Sequence, residues 1–301
     1  MQTRSLQRLI GYSMVVCAAL LFGLNGYFSR LLFDQGISPI TLVEFRMFIG
    51  GACLVLVLLC WNRAALKLPR RSWGAVLGFG LSLALVTYTY FVAISRLPFA
   101  IALVIQFSAT SWMALGQALW LRRWPSPAIM LSVALTLGGV LLLTGIWQQH
   151  FNGLDRIGLL FALLSLLTYI AYLVLGRFAG RKLPAMTSTT YGAWVAALFW
   201  FIVQPPWSIP SSTWQLQHLF LIALVGILGM AVPFSLMLAA LRRLDATRVG
   251  LVGMLELVAS SFIGYLFLGQ VLTLWQILGC LLVFAGIIVI SLEQLDHARL
   301  M

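Results

Sequence analysis

Apolar runs of about twenty residues recur ten times in this chain of 301, mostly joined by only a few polar residues. That is the length an α-helix needs to cross a hydrocarbon layer of about 30 Å, whereas a barrel strand needs only about ten residues of alternating polarity. Such alternation is absent. In lipid every backbone N–H and C=O must find its partner inside the protein, so runs of this kind can only fold as helices. The expectation is an all-α membrane protein of ten transmembrane helices, near 9–30, 39–61, 73–95, 98–121, 127–147, 157–178, 185–204, 216–241, 246–268 and 274–292. The longer links, "KLPRRS", "QQHFNGLDR" and "QPPWSIPSSTWQLQ", leave no room for a soluble domain. Pro39, Pro98, Pro127, Pro184 and Pro210 fall at or near segment starts, where a missing N–H costs least.

Composition narrows the function classes. The chain is 62% hydrophobic and only 9% charged, against about a quarter charged in soluble proteins. A net charge of +12 raises nucleic acid as a partner. The basic residues, however, sit in small clusters between apolar runs rather than on one solvated face, so no nucleic acid is expected. Cys17, Cys53, Cys60 and Cys280 lie in or beside apolar segments without metal-type spacing, and read as small buried hydrophobes. Neither a metal nor a cofactor is expected. Arg4 and Arg8 before an apolar stretch imitate a secretory signal, but the stretch from Leu9 to Ser29 is too long and lacks a clear cleavage site; it reads as a retained first span.

Orientation follows from the cations. With the N-terminus cytoplasmic, inside segments hold 15 of the 19 basic residues, outside segments hold Arg30, Arg96 and Arg156, and Arg46 falls within the second span. The positive-inside rule therefore puts both termini in the cytoplasm, in a membrane of bacterial inner (plasma) type. Sliding the chain against itself by 147 positions aligns Gly11 with Gly158, Arg30 with Arg177, Arg96–Leu97 with Arg243–Leu244, Ser126 with Thr273 and Gly139 with Gly286. The shift maps spans one to five onto six to ten. Five is odd, so the second copy enters from the opposite side, and the halves are inverted repeats, 1–147 and 148–301, within one integral-membrane domain. Inverted repeats around a central cavity are the architecture of alternating-access transporters.

The stretch "ALRRLDATRVGLVGMLELVASSFIGYLFLGQVLT" resembles the signature of the EamA-type exporters of the drug/metabolite transporter superfamily. That signature runs along the lines of AL-(K/R)-x-x-x-A-x-x-A-x-x-x-x-L-E-P, an apolar helix, then L-G-E-x-(L/F)-(T/S). "LLFGLNGYFSR" is similar to the family's start, Arg46 matches its basic residue early in the second span, and "AISRLPFAIALVIQF" is the first-half counterpart of the signature. The resemblance covers nearly the whole chain. It implies a basket of ten helices with a central cavity and export of small metabolites, amino acids and aromatic amino acids among them. Three positions depart from the pattern. Leu257 replaces the proline after the glutamate, Gln270 replaces the closing glutamate, and Thr110 stands where the first half would carry its proline. A proline kink at the two helices is therefore not expected from the residues.

Candidate site residues are the polar and aromatic groups too deep for the interface. Glu256 lies about eleven residues into the ninth span, close to the midplane at about 1.5 Å per residue. A carboxylate there costs about 2.5–3.5 kcal/mol on insertion, so it must face the bundle interior. Three roles stay open for it: proton coupling, contact with a substrate ammonium, or accepting backbone N–H groups. Glu44 and Arg46 lie five and seven residues after Pro39 and about 200° apart around the helix, so they cannot pair face to face. Arg46 is the candidate for a substrate carboxylate, which a guanidinium grips with two parallel bonds; its alternative is snorkelling to the interface. Glu44 is a second candidate for substrate contact or proton coupling. Asn25 and Gln106 can bond a ligand or another helix. Tyr88, Tyr90, Trp112, Tyr169 and Tyr172 can wall a cavity for apolar or aromatic substrates or serve as packing. Asp245 reads as a helix cap.

A secondary or facilitative exporter acting by alternating access on a small-molecule substrate is the leading expectation, with membrane lipid as its surroundings. The sequence leaves the oligomeric state open and is compatible with a monomer. An intramembrane enzyme and a channel or lipid scramblase are the alternatives. The chain has no HExxH, GxSxG or phosphate-binding GxxxxGK(S/T) to support enzyme chemistry or ATP hydrolysis.

Overall fold

A computed structural model describes residues 2–97, 99–121, 124–145, 155–268 and 273–299. Pro98, Arg122, Arg123, Trp147, His150 and Gln270 lie outside the described residues, as do the side chains of Arg4, Arg30, Gln117, His297 and Arg299. The described chain is helical, without strands. Thirteen α-helices follow one another: α1 (Gln2–Asp34), α2 (Pro39–Trp61), α3 (Trp73–Arg96), α4 (Phe99–Phe107), α5 (Ala109–Leu121), α6 (Pro127–Thr144), α7 (Arg156–Lys182), α8 (Ala185–Val203), α9 (Leu216–Gly226), α10 (Val232–Leu241), α11 (Ala246–Gly253), α12 (Leu255–Leu268) and α13 (Leu274–Arg299).

Eight helical stretches are long and apolar enough to cross a membrane, and the shorter apolar helices Ile101–Ala114 and Leu274–Ile290 bring the spans to ten. Thirteen helices make ten spans because three spans are interrupted. The fourth breaks between α4 and α5, the eighth passes through a π turn at Ile227–Ala231, and the ninth breaks between α11 and α12. Neither the fourth nor the ninth break uses a proline. At Ser108 two hydroxyls bond carbonyls of the preceding turn, Ser108 Oγ to Ile105 at 2.7 Å and Thr110 Oγ1 to Phe107 at 2.9 Å, and such bonds bend helices. At Met254 the chain tightens into three-residue bonds, Met254 N–H to Leu251 at 3.2 Å and Leu257 N–H to Met254 at 3.1 Å. The helices thus bend where the residues alone gave no reason to expect it.

The starts obey local chemistry. Ser38 and Ser126 cap α2 and α6, each followed by proline at the first helical position. Asp245 caps α11 through the Arg248 N–H at 3.0 Å, and Thr273 and Gln276 form a reciprocal box at the start of α13, with bonds of 3.3 and 2.9 Å.

The two halves interlock through a pseudo-two-fold. Helix α1 packs on α10 while α7 packs on α3; α1 packs on α11 while α7 packs on α4; α2 meets α8, and α6 meets α13. Residues match as well as helices. Gly11 sits against Arg243 and Leu244, and its repeat mate Gly158 sits against Arg96 and Leu97. Gly139 abuts the Gly279 carbonyl, and on the mated pair Ser132 Oγ donates to the Gly286 carbonyl at 2.7 Å. These glycines are where backbones touch, the interaction that holds helices together where lipid supplies no hydrophobic drive. By contrast no other part of the described chain lies within 4 Å of a side chain placed at Gly74 or Gly138.

Leu56, Leu163, Leu167, Ile202 and Phe262 are exposed, as a lipid-facing surface requires, and Trp61, Trp124 and Trp207 are more than four-fifths exposed at span ends, where interfacial aromatic belts form. The protein is an integral membrane protein.

Candidate functional site

A cavity of about 710 Å³ opens in the bundle, within the range of roughly 300–1,000 Å³ usual for small-molecule sites. Its lining comes from the C-terminal halves of α1, α3 and α4, the end of α6, the central parts of α7 and α10, most of α12, Arg46 of α2, and the start of α13. Successive spans run in opposite directions, so these segments place the cavity between the middle of the bundle and the end away from the N-terminus, the distal end. The end that carries the N-terminus is the proximal end.

Seven of the candidate residues line it: Asn25, Arg46, Tyr90, Gln106, Tyr169, Tyr172 and Glu256. Three do not. Glu44 is buried on another side of α2 with its Oε2 unpartnered, as the 200° offset from Arg46 requires. The Tyr88 ring packs between Phe161, 5.8 Å away, and Trp200, 5.3 Å away. Trp112 is 59% exposed on the outer face of α5.

Arg46 is held by a backbone defect. Pro233 interrupts the eighth span and has no N–H to give the carbonyl four residues back, that of Gly229. Arg46 Nη2 donates to that carbonyl instead, at 2.9 Å. The π turn brings Gly229 so close to Asn25 that a methyl group there would lie 1.9 Å from Asn25 Oδ1. The guanidinium also sits 5.9 Å from the centre of the Phe234 ring, a cation–π distance. Among the described residues its Nε has no hydrogen-bond partner, and neither do Asn25 Oδ1 and the Tyr172 hydroxyl. Buried polar groups are normally paired, so these three orphaned atoms on one cavity wall form an incomplete hydrogen-bonding set.

Glu256 enters from the other repeat. It stands in the first turn of α12, just past the break at Met254, with Ser260 one turn further on the same face. It lines the same cavity as Arg46, Tyr90, Tyr169 and Tyr172. Yet among the described residues no ion pair joins Glu256 to Arg46. A cation and an anion thus face one cavity without closing on each other.

Rings connect the rest of the wall. Phe22 meets Phe234 at 5.1 Å, Phe234 meets Tyr172 at 5.7 Å, Tyr172 stacks on Tyr169 at 6.1 Å, and Tyr169 meets Phe107 at 6.2 Å. Phe22, Phe107, Phe234 and Gly229 escape a reading of the sequence. Three are phenylalanines among nineteen, and their position is set by helix rotation. Gly229 did leave a trace, since Pro233 lies deep in an apolar run.

Comparisons with known proteins agree with this architecture. The EamA-like transporter family matches twice, over residues 9–145 and 156–292. The uncharacterized transporter YcbK of Bacillus subtilis is 30% identical over 158 residues, about half of both chains at 51% and 48%. The threonine/homoserine exporter RhtA of Salmonella typhimurium is 26% identical over 246 residues, 80% of this chain and 78% of its own. A solved crystal structure, 19% identical, superposes with a TM-score of 0.80 over 96% of this chain and 97% of that one, which shows a shared fold. Two family matches that together cover both five-span halves leave one conclusion: the chain belongs to the EamA-like transporter family.

Proposed function

We propose that this transporter exports small metabolites, amino acids with an aromatic or other neutral side chain, by alternating access, holding the zwitterion between Arg46 and Glu256 with its side chain against the ring wall. One observation carries the reading: a guanidinium and a carboxylate, one from each repeat, line the same cavity and stay apart. An α-amino acid presents a carboxylate and an ammonium to match, and a guanidinium binds a carboxylate in two parallel bonds. The side chains of Asn25 and Tyr172, which line the cavity beside Arg46, supply further contacts. Relatives named as threonine/homoserine exporters support an amino-acid substrate, and the rings Phe22, Tyr169, Tyr172 and Phe234 favour an aromatic or other neutral side chain over a charged one. Both termini then lie in the cytoplasm, by the distribution of basic residues, and the cavity belongs to the outward-facing state. The two inverted halves, 1–147 and 148–301, exchange conformations to give the inward-facing one.

The test is counterflow into proteoliposomes loaded with phenylalanine, tryptophan, threonine or homoserine, using wild type, Arg46→Gln and Glu256→Gln. Saturable exchange is expected in wild type, with a loss of about tenfold or more in each variant. Exchange of all four substrates unchanged in both variants would remove the zwitterion reading. Glu256 carries a second role in the same experiment. If it is also the proton-coupling group, Glu256→Gln keeps residual exchange but loses its acceleration by an imposed pH gradient.

A further inference from the structure

At the proximal end, away from the cavity, a second pocket of about 200 Å³ is lined by Arg8, Arg177, Arg181, Arg242, Arg243 and Arg248, with Asp245 as the one acid among the described residues lining it. Glycines bring the arginines together. Gly11 lets α1 approach the turn between α10 and α11, its missing side chain leaving about 3 Å to Arg243 and Leu244, and Gly180 of α7 receives the Arg242 stem in the same way. Three parts of the chain thus deliver guanidinium groups to one place, where Arg181 and Arg248 repel Arg177 and Asp245 attracts it.

Among the described residues, internal partners leave much of the charge of Arg177, Arg181 and Arg242 uncompensated. Asp245 is taken by Arg248, and Arg243 bonds the Gln7 side chain at 3.0 Å and the Ala239 carbonyl at 2.8 Å. No ion pair or side-chain hydrogen bond ties the guanidinium groups of Arg177, Arg181 and Arg242 to a described residue. The pseudo-two-fold sharpens the point. At the distal end Arg96, the repeat mate of Arg243, pairs with Asp155 at 3.0 Å, and the mate of Asp155 is Arg8. One end neutralises its arginine with a carboxylate, and the other puts a further arginine in the carboxylate's place.

We propose that this pocket binds the phosphate of an anionic glycerophospholipid. Guanidinium forks match phosphate oxygens, and the pocket lies at the span ends, at the depth of lipid headgroups, where basic pockets between helices collect anionic lipid. The site is separate from the transport cavity and does not depend on what that cavity carries.

The test is native mass spectrometry of lipid retention. Wild type, the triple variant Arg177→Gln/Arg181→Gln/Arg242→Gln, and a loop control Arg70→Gln/Arg71→Gln are purified from vesicles of equal phosphatidylglycerol and phosphatidylcholine. Wild type and control are expected to retain phosphatidylglycerol selectively, and the triple variant to lose about tenfold or more of that affinity. Equal retention of the two lipids by wild type, or unchanged selectivity in the triple variant, overturns the proposal. Displacement of the lipid by millimolar inorganic phosphate, with the same thermal stabilisation in lipid-free detergent, also overturns it by assigning the pocket to a soluble anion. Should the triple variant not fold, Arg181→Gln alone, exposed at the end of α7, is expected to weaken retention severalfold, and unchanged retention there counts against the site.

Discussion

Gly229 is the residue on which the cavity wall turns. Its carbonyl anchors Arg46, and its lack of a side chain admits Asn25. Gly229→Ala must displace Asn25, because no side-chain atom tolerates a neighbour at 1.9 Å. We expect a stability loss of about 1–3 kcal/mol with a loss of amino-acid counterflow of about tenfold or more. Adding Asn25→Ala relieves the crowding and is expected to restore melting temperature but not transport. Recovery of both together would show that Asn25 serves only packing. Asp155 offers a separate test on the membrane edge. Its bond to Arg96, together with the Gly158 and Ile157 N–H groups, holds its carboxyl below the usual carboxylate range. A depressed folded pKa stabilises fully above the unfolded value of about 4 and is lost as pH falls through the folded value. The melting temperature of Asp155→Asn is therefore expected to fall below wild type at pH 7 and to converge with it only as the pH falls below the usual carboxylate range. A gap that persists in acid would mean that the side chain acts through its cap geometry alone.

Among the elements, the closed proximal half and the open distal half differ at matched positions. Side chains placed at Gly176, Gly180 and Gly250 would meet Leu241, Arg242 and Thr110 at 3.1, 3.0 and 2.8 Å, so α7 and α11 seal tightly there. Their repeat mates are Ser29, Phe33 and Leu103, and all three line the cavity. The larger residues on α1 and α4 hinder the same close approach at the distal end, a built-in bias toward the state seen here. Gly250→Leu is expected to loosen the proximal seal and shift the population inward. Alkylation of a cysteine at Ala179, fully buried in α7, by a membrane-impermeant reagent should then rise severalfold from the proximal side. Unchanged labelling in a variant that still elutes as a folded protein would count against the bias. Sequence chemistry alone predicted the helix cap at Asp245, while the caps at Ser126 and Thr273 emerged only from the structure. Sequence chemistry also missed the kinks at Ser108 and Met254, because the side-chain bonds that bend the fourth span compete with a ladder equally compatible with a straight helix.

For the whole molecule, the sequence by itself determined the number of spans, their ends, the antiparallel relation of the two halves and the family. Each follows from a one-dimensional constraint: hydrocarbon thickness fixes run length, an odd repeat inverts the second copy, and a repeated offset of residues survives any arrangement in space. Burial of polar atoms was legible in the same way, so Asn25, Arg46, Gln106 and Glu256 stood out as groups that lipid would reject. Only the tertiary structure decided which of them meet. Glu44 and Arg46 are two residues apart, yet one faces the cavity and the other does not; Tyr88 and Tyr90 divide likewise, and Trp112 lies on the outer surface. A helix in lipid has no polar face to set its rotation. Rotation comes instead from close approaches such as Gly139 on the Gly279 backbone and Gly229 on the Asn25 side chain, made between residues far apart in the chain.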